Sequence, residues 1–225
     1  MADRTSVWAR PTKTGRAQPA LDRARIVAGA VELLDRGTVS GLTMRKLATH
    51  LNTAPMTLYG YVATKDDLLE YAVDAVFAEM TDGAAPSGDW RTDLRSIGRQ
   101  MFDALLRHAW AAELIGGMPP LGPAAVAQFR SIVGALGDAG FAEDRVQPAL
   151  TAFYYYVLGA AVAESAWARA GSPDDSVRAT ITALDAGTGA AIPLLLDRPA
   201  PPEDRAQRFE QGLQCVLDGF EPPSG

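Results

Sequence analysis

The chain has 225 residues, 48% apolar and 21% charged, the balance of a chain that buries a core and not of a disordered one. At this length about 70% of the unfolded surface can be buried, so no metal or disulfide staple is needed, and a single cysteine, Cys215, excludes an intrachain disulfide and fits a reducing setting. The net charge of −6 conceals a division: residues 1–65 hold ten Lys/Arg against four Asp/Glu, and residues 66–225 hold eleven against twenty-three. A basic head on an acidic body suggests that the head alone meets a polyanion, the alternative being chance clustering on a solvated surface.

Residues 1–20 are polar and basic, interrupted by Pro11, Gly15 and Pro19, and read as a flexible arm. Ile26, Val27, Ala30, Val31 and Leu34 then recur at helical spacing, with Asp22 as N-cap and Gly37 just past the end. Thr43 caps a second short helix that turns Met44, Leu47, Ala48 and Leu51 inward. After the break Asn52-Thr53-Ala54, Pro55 opens a third short helix running to about Tyr61. Thr64-Lys65-Asp66-Asp67 is a capping box for a fourth, apolar along Leu68, Leu69, Ala72, Val73, Val76, Phe77 and Met80.

Asp82 to Gly88 is the clearest linker. Long helical patterns follow at Trp90–Arg107, Pro123–Gly137 and Val146–Arg169, with a less regular stretch from Asp175 to about Leu196. A last helix carries Phe209, Leu213, Val216, Leu217 and Phe220 in one stripe. No alternating strand pattern occurs, so the expected fold is all-α. It divides into an arm (1–20), a helix-turn-helix domain (21–66) and a larger helical domain (67–225). The longest apolar run, Tyr154 to Ala163, is too short for a bilayer and ends at Glu164; with no secretory signal, a cytoplasmic protein is expected.

Gly41 to Lys65 is the informative segment: two short helices meet across a tight break with small Ala48 at the crossing, which is helix-turn-helix spacing. The second helix buries Leu58 and leaves Thr57, Gly60 and Tyr61 toward solvent, with Tyr59 able to point outward. Hydroxyls and phenols can hydrogen-bond phosphates and base edges, and the Thr57 methyl can touch a thymine methyl. Arg45 and Lys46 open the preceding helix and Lys65 the following one, where N-terminal amides favour phosphate. A plain helical hairpin with a solvated face is the competing account. The caps, the break, the basic balance and the exposed Tyr/Thr together favour double-stranded DNA.

Arg25-Ile26-Val27 to Leu34, Gly41-Leu42-Thr43-Met44-Arg45-Lys46-Leu47-Ala48, Met56-Thr57-Leu58-Tyr59-Gly60-Tyr61-Val62 and Lys65-Asp66-Asp67-Leu68-Leu69 resemble the TetR family of bacterial transcriptional repressors. More weakly, Ala104 to His108, the Gly116–Pro119 break, Gly140-Phe141, and Leu158-Gly159 with Glu164 resemble the tetracycline-repressor type of C-terminal domain. The resemblance implies that Thr43, Arg45 and Lys46 lie at the DNA, that Thr57 and Tyr61 face the major groove, that Tyr59 holds phosphate, and that Lys65 pins the backbone. It leaves Arg10, Lys13 and Arg16 of the arm either on the minor groove or simply disordered. It further implies a homodimer whose two reading heads sit about 34 Å apart on a palindromic operator.

The resemblance implies that Val146–Arg169 and Arg205–Phe220, both apolar on more than one side, pair across the two-fold axis as a four-helix bundle; the stripe on the last helix needs a partner surface, which is either a second copy or the rest of the chain. Phe102, Leu105, His108, Trp110, Met118, Phe129, Tyr154, Tyr155 and Trp167, with Met101 and Leu114, are candidates to line an effector pocket for a bulky ligand, each of them also suited to the core. His108 is the only histidine of the larger domain, so the family's drug–magnesium chelate is not carried over and no cofactor or metal is expected. Effector binding would move the helix from Lys65 to Met80; a hundredfold coupling corresponds to about 2.7 kcal/mol. Two rivals stand beside this reading: a DNA-binding protein without a small ligand, and an all-α enzyme. For the enzyme, His50, His108, Glu164 and Cys215 are the candidate groups; they fall in no catalytic spacing, and Cys215 in the apolar stripe reads as a buried, inert thiol.

Overall fold

The computed structural model describes residues 21–80, 86–170, 183 and 202–220. These contain α1 (Arg23–Asp35), α2 (Met44–His50), α3 (Pro55–Leu58), α4 (Lys65–Glu79), α5 (Trp90–Arg107), α6 (Ala109–Ile115), α7 (Pro123–Asp138), α8 (Glu143–Ala170) and α9 (Pro202–Asp218), with no strand among the described residues. The all-α expectation holds. The arm and, apart from residue 183, the stretch from Asp175 to Leu196 lie outside the described residues.

The capping residues place the first helices where the sequence puts them. Asp22 accepts from the Arg25 N–H, Thr43 from Lys46 and Thr64 from Asp67, each satisfying an orphan donor of a first turn. Two elements differ from expectation. α3 is a single turn ending at Leu58, because Gly60 and Tyr61 continue in tighter bonds to the Thr57 and Leu58 carbonyls. Residues 109–115, to which the sequence pattern assigned no element, form α6, whose Trp110, Ala111, Ala112 and Ile115 are buried.

α1 to α3 and the start of α4 enclose one end of the core. Gly29 allows the close approach of α1 to the end of α2, since a Cβ there would lie 2.9 Å from Leu51 Cδ2 and the Leu51 side chain would have to turn aside. α4 runs on from this head into the body, where Phe77 packs on Phe129 of α7. Asp74, buried on α4, accepts the Ala124 and Ala125 N–H groups at 3.0 Å each and so caps α7 from a neighbouring helix. Gly122 makes room, because a Cβ on it would fall 2.1 Å from the Asp74 carboxylate. Desolvation by burial is the larger influence on Asp74 and raises its pKa against the lowering effect of those two bonds.

α5, α8 and α9 form the remainder of the body. The stripe on α9 finds its partner within the chain: Phe209, Leu213 and Leu217 are buried, Phe209 stacks on Phe102 at 4.0 Å, and Leu213 meets Phe153 and the gap left by Gly98. Tyr156 donates to the Phe209 carbonyl at 2.7 Å, and buried Glu164 pairs with Arg205 (3.4 Å) and Arg208 (3.2 Å). Intrachain packing therefore covers three of the five stripe residues, with Val216 and Phe220 left half-buried. Cys215 is not buried in it but exposed on the polar side, with Gln207, Gln211 and Asp218.

The exposed apolar stripe lies instead on α8. Ala152, Tyr155, Gly159, Val162 and Ala166 recur every three or four residues and all face solvent, Tyr155 being 66% exposed. α8 is also the one described helix long and apolar enough to cross a membrane. Its other side, Phe153, Val157 and Ala161, is buried in the body beside Glu164.

Candidate nucleic-acid interface

The turn between α2 and α3 is built from backbone geometry. Asn52 adopts a left-handed φ of 50°, a conformation Asn reaches more readily than most L residues, and this lets the Thr53 N–H reach back to the Ala48 carbonyl at 2.9 Å. Ala48 is buried at that crossing. Pro55 opens α3 at the position where its missing N–H is harmless. Leu58 and Val62 anchor the segment in the core, so the residues between and before them are held out at the surface.

The surface residues are distributed more unevenly than the sequence predicts. Tyr59 is 47% exposed and Gly60 is exposed, but Thr57 is half-buried, and Tyr61 packs in part against the core and does not stand free in solvent. The largest projection is Met56, 78% exposed, which sequence reasoning passed over because a methionine in a helical pattern is read as core. The signal that could have found it is its place beside Pro55, one position ahead of Thr57 and two ahead of the inward Leu58.

The basic residues also divide. The Arg45 side chain is exposed on α2 and has no hydrogen-bond or ion-pair partner among the described residues. Lys46 donates to the Gly41 carbonyl at 2.9 Å, and Lys65, half-buried, donates to the Val39 carbonyl at 2.7 Å. Both lysines thus brace the loop before α2, and each offers a phosphate only the donors it has left. Thr43 gives its hydroxyl to the cap of α2.

The nine pocket candidates do not converge. Phe102 and Leu105 are core. His108 and Trp110 are committed to the head: His108 Nδ1 and Trp110 Nε1 both lie 2.7 Å from Asp35 Oδ1, and His108 Nε2 is 3.1 Å from Glu79 Oε2. Tyr155 faces outward and Trp167 is half-buried. Met118 lines a cleft of about 640 Å³ between the loop Thr38–Ser40, the start of α4 and α6. Phe129 and Tyr154 do meet, ring centroids 5.2 Å apart, and continue through Phe129 to Phe77 of α4. The Tyr154 hydroxyl is buried and has no hydrogen-bond partner among the described residues, and burial pushes its pKa well above the usual phenol range.

Of the groups weighed for an enzyme, His50 sits 3.0 Å from Glu32 at the surface, and Glu164 is held by two arginines. Among the described residues no three His, Cys, Asp or Glu side chains cluster to hold a metal ion.

A capped helix-turn-helix head bearing an exposed cation and outward aromatic and apolar side chains, joined by one helix to an all-α body, defines a bacterial-type DNA-binding regulator. Residues 26–72 match the bacterial regulatory proteins of the tetR family, and residues 82–222 match the tetracyclin repressor-like C-terminal domain. An HTH-type transcriptional regulator of Saccharopolyspora erythraea is 37% identical over 98% of this chain and 93% of its own. The class A tetracycline repressor protein from transposon 1721 of Escherichia coli is 31% identical over 87% and 88%. The structure of the TetR family protein ActR of Streptomyces coelicolor, in complex with (S)-DNPA, superposes with a TM-score of 0.70 at 25% identity, covering 89% of this chain and 97% of that one. The chain belongs to the TetR family and is a DNA-binding transcriptional regulator.

Proposed function

We propose that this regulator is a repressor that binds a palindromic operator as a homodimer and leaves it when a small molecule enters the body. The reading surface is the α2–α3 corner: Arg45 on the phosphates or a base edge, Met56 and Thr57 against the groove floor, Tyr59 on phosphate, with Thr43, Lys46, Tyr61 and Lys65 shaping the corner. In domain terms, residues 21–66 form the head and 67–225 the body, with residues 1–20 as an arm and α4 crossing the division.

The observation that carries the dimer is the α8 stripe from Ala152 to Ala166. It repeats at the spacing of a helix seam, faces away from the protomer, and has small residues at Ala152, Gly159 and Ala166 that permit close helix approach. The effector reading rests on Tyr154. A buried hydroxyl left unpaired costs about 1–3 kcal/mol, and a ligand acceptor or donor would recover it. Phe129 and Phe77 carry that position to α4, the helix that bears the head. Repression and release follow the names of relatives, one a tetracycline repressor and one solved with a small molecule bound.

The test is selection of random duplex DNA with the purified protein, followed by binding across salt. An inverted repeat bound more weakly as salt rises supports the proposal. A direct repeat, a single half-site, or no enriched sequence refutes it.

A further inference from the structure

Among the described residues, two attachments of different kind join the head to the body. One is α4, a continuous helix of 15 residues that starts inside the head core and ends at Glu79 beside α5. The other is the hydrogen-bonded junction of Asp35, His108, Trp110 and Glu79. Beside them a cleft of about 640 Å³ lies between the loop Thr38–Ser40 and Leu114, Gly117 and Met118.

A single rod leaves its load free to turn about the rod. A second, off-axis tie removes that freedom, and this junction is such a tie. Asp35 is the last residue of α1, hence part of the head; Glu79 ends α4; His108 is the hinge residue between α5 and α6 of the body. One carboxylate oxygen of Asp35 faces two ring nitrogens of the body, His108 Nδ1 and Trp110 Nε1, at 2.7 Å each. The second nitrogen of His108 holds Glu79 at 3.1 Å, and Arg107 braces the same Glu79 oxygen at 3.4 Å. His108 and Trp110 are themselves buried, with their rings edge-on at 6.2 Å, so their directions are set by packing and not by the bonds alone.

We propose that the Asp35–His108–Trp110–Glu79 junction fixes the angle of the reading head on the body and thereby sets the half-site spacing that the dimer accepts. Operator spacing is a geometric property of two heads on a two-fold axis, so whatever locks each head about α4 makes the spacing strict. His108 and Trp110 are positioning residues; neither touches DNA in this account. The inference rests on the dimeric operator reading above.

The test uses the full chain and the selected operator with its half-sites moved by −1, +1 and +2 base pairs. The wild type is expected to bind the altered spacings at least tenfold more weakly. His108→Phe, Asp35→Ala and Trp110→Phe should compress that ratio to threefold or less while affinity for an isolated half-site stays within twofold. A general loss of stability would lower all affinities together and leave the ratio alone. As a reading independent of DNA, nitroxides at Thr49→Cys in a Cys215→Ser background should give a broader head-to-head distance distribution in each variant; Thr49 is exposed on α2 and Cys215 is the only cysteine. If His108→Phe does not fold, Trp110→Phe and Asp35→Ala, which each remove one partner of the junction, decide the matter. Folded, dimeric variants that keep the wild-type spacing ratio and distance width overturn the tie. A wild type indifferent to spacing overturns the dimeric operator reading, and the tie's role with it.

Discussion

Placing a charge on the outer face of α8 tests where two copies of this chain meet. Val162 projects from the middle of the stripe that includes Tyr155 and Gly159, and it is exposed in the protomer. In a two-fold seam each copy contributes its own Val162, so Val162→Glu introduces two carboxylates into a surface that must lose its water. The effective penalty for burying an unpaired ion is several kcal/mol. Even at about 2 kcal/mol per copy the dimer loses about 4 kcal/mol, close to a thousandfold in its dissociation constant. In the isolated protomer the same change is a surface substitution worth no more than about 0.5 kcal/mol, so helix content by circular dichroism at 20 °C should match the wild type. Leu213→Ala is the counterpart on α9. Leu213 is fully buried against Phe153 and Gly98, and its truncation should cost about 2–5 kcal/mol of protomer stability without releasing the dimer. Sedimentation over a concentration series reads the first effect and thermal melting the second. A Val162→Glu protein that stays as dimeric as the wild type, beside a Leu213→Ala protein that sediments as a folded monomer, would move the seam to α9 and refute the reasoning.

The remaining predictions concern the head, the body and pH. Met56→Ala and Arg45→Ala should each weaken operator binding by about 1–3 kcal/mol in a titration of labelled duplex, with melting temperature unchanged; unaltered affinity in both would remove the α2–α3 corner as the reading surface. Tyr154→Phe should raise the melting temperature of the ligand-free protein by the equivalent of about 1 kcal/mol, since it deletes an unpaired buried hydroxyl; a fall in stability would mean the hydroxyl is paired in solution. Asp74 has a raised pKa in the folded chain, so its contribution is fully present below the unfolded value of 3.8 and is lost as pH rises through the folded value. Asp74→Asn keeps an acceptor for the α7 amides and should flatten that part of the stability-versus-pH curve in chemical denaturation, whereas an unchanged slope would show that Asp74 does not drive it.

Much of the head was legible in the chain. Asp22, Thr43 and Thr64 sit one residue before their helices, Pro55 sits in a first turn, and Leu58 marks the buried side of α3. These are local devices, in which a side chain satisfies amides two or three residues away, so their outcome depends on nearest neighbours in sequence. The same holds for the charge division between residues 1–65 and the remainder, which composition displays directly.

What a stripe or a polar side chain faces is another matter, because periodicity reports a direction on a helix and not the object met there. The Phe209–Leu213–Leu217 stripe reads equally as a seam or as core, and the choice falls to Phe102, Phe153 and Gly98, more than a hundred residues earlier for two of them and dozens for the other. Tyr155 and Tyr154 are adjacent in sequence, yet one stands in solvent and the other is buried with its hydroxyl unpaired. His108 and Trp110 carry the right chemistry for a ligand pocket, and Asp35, 73 residues from the first and 75 from the second, claims both. Burial and partnership of this kind are properties of helix packing over long sequence separations, and they come into being when the layers close.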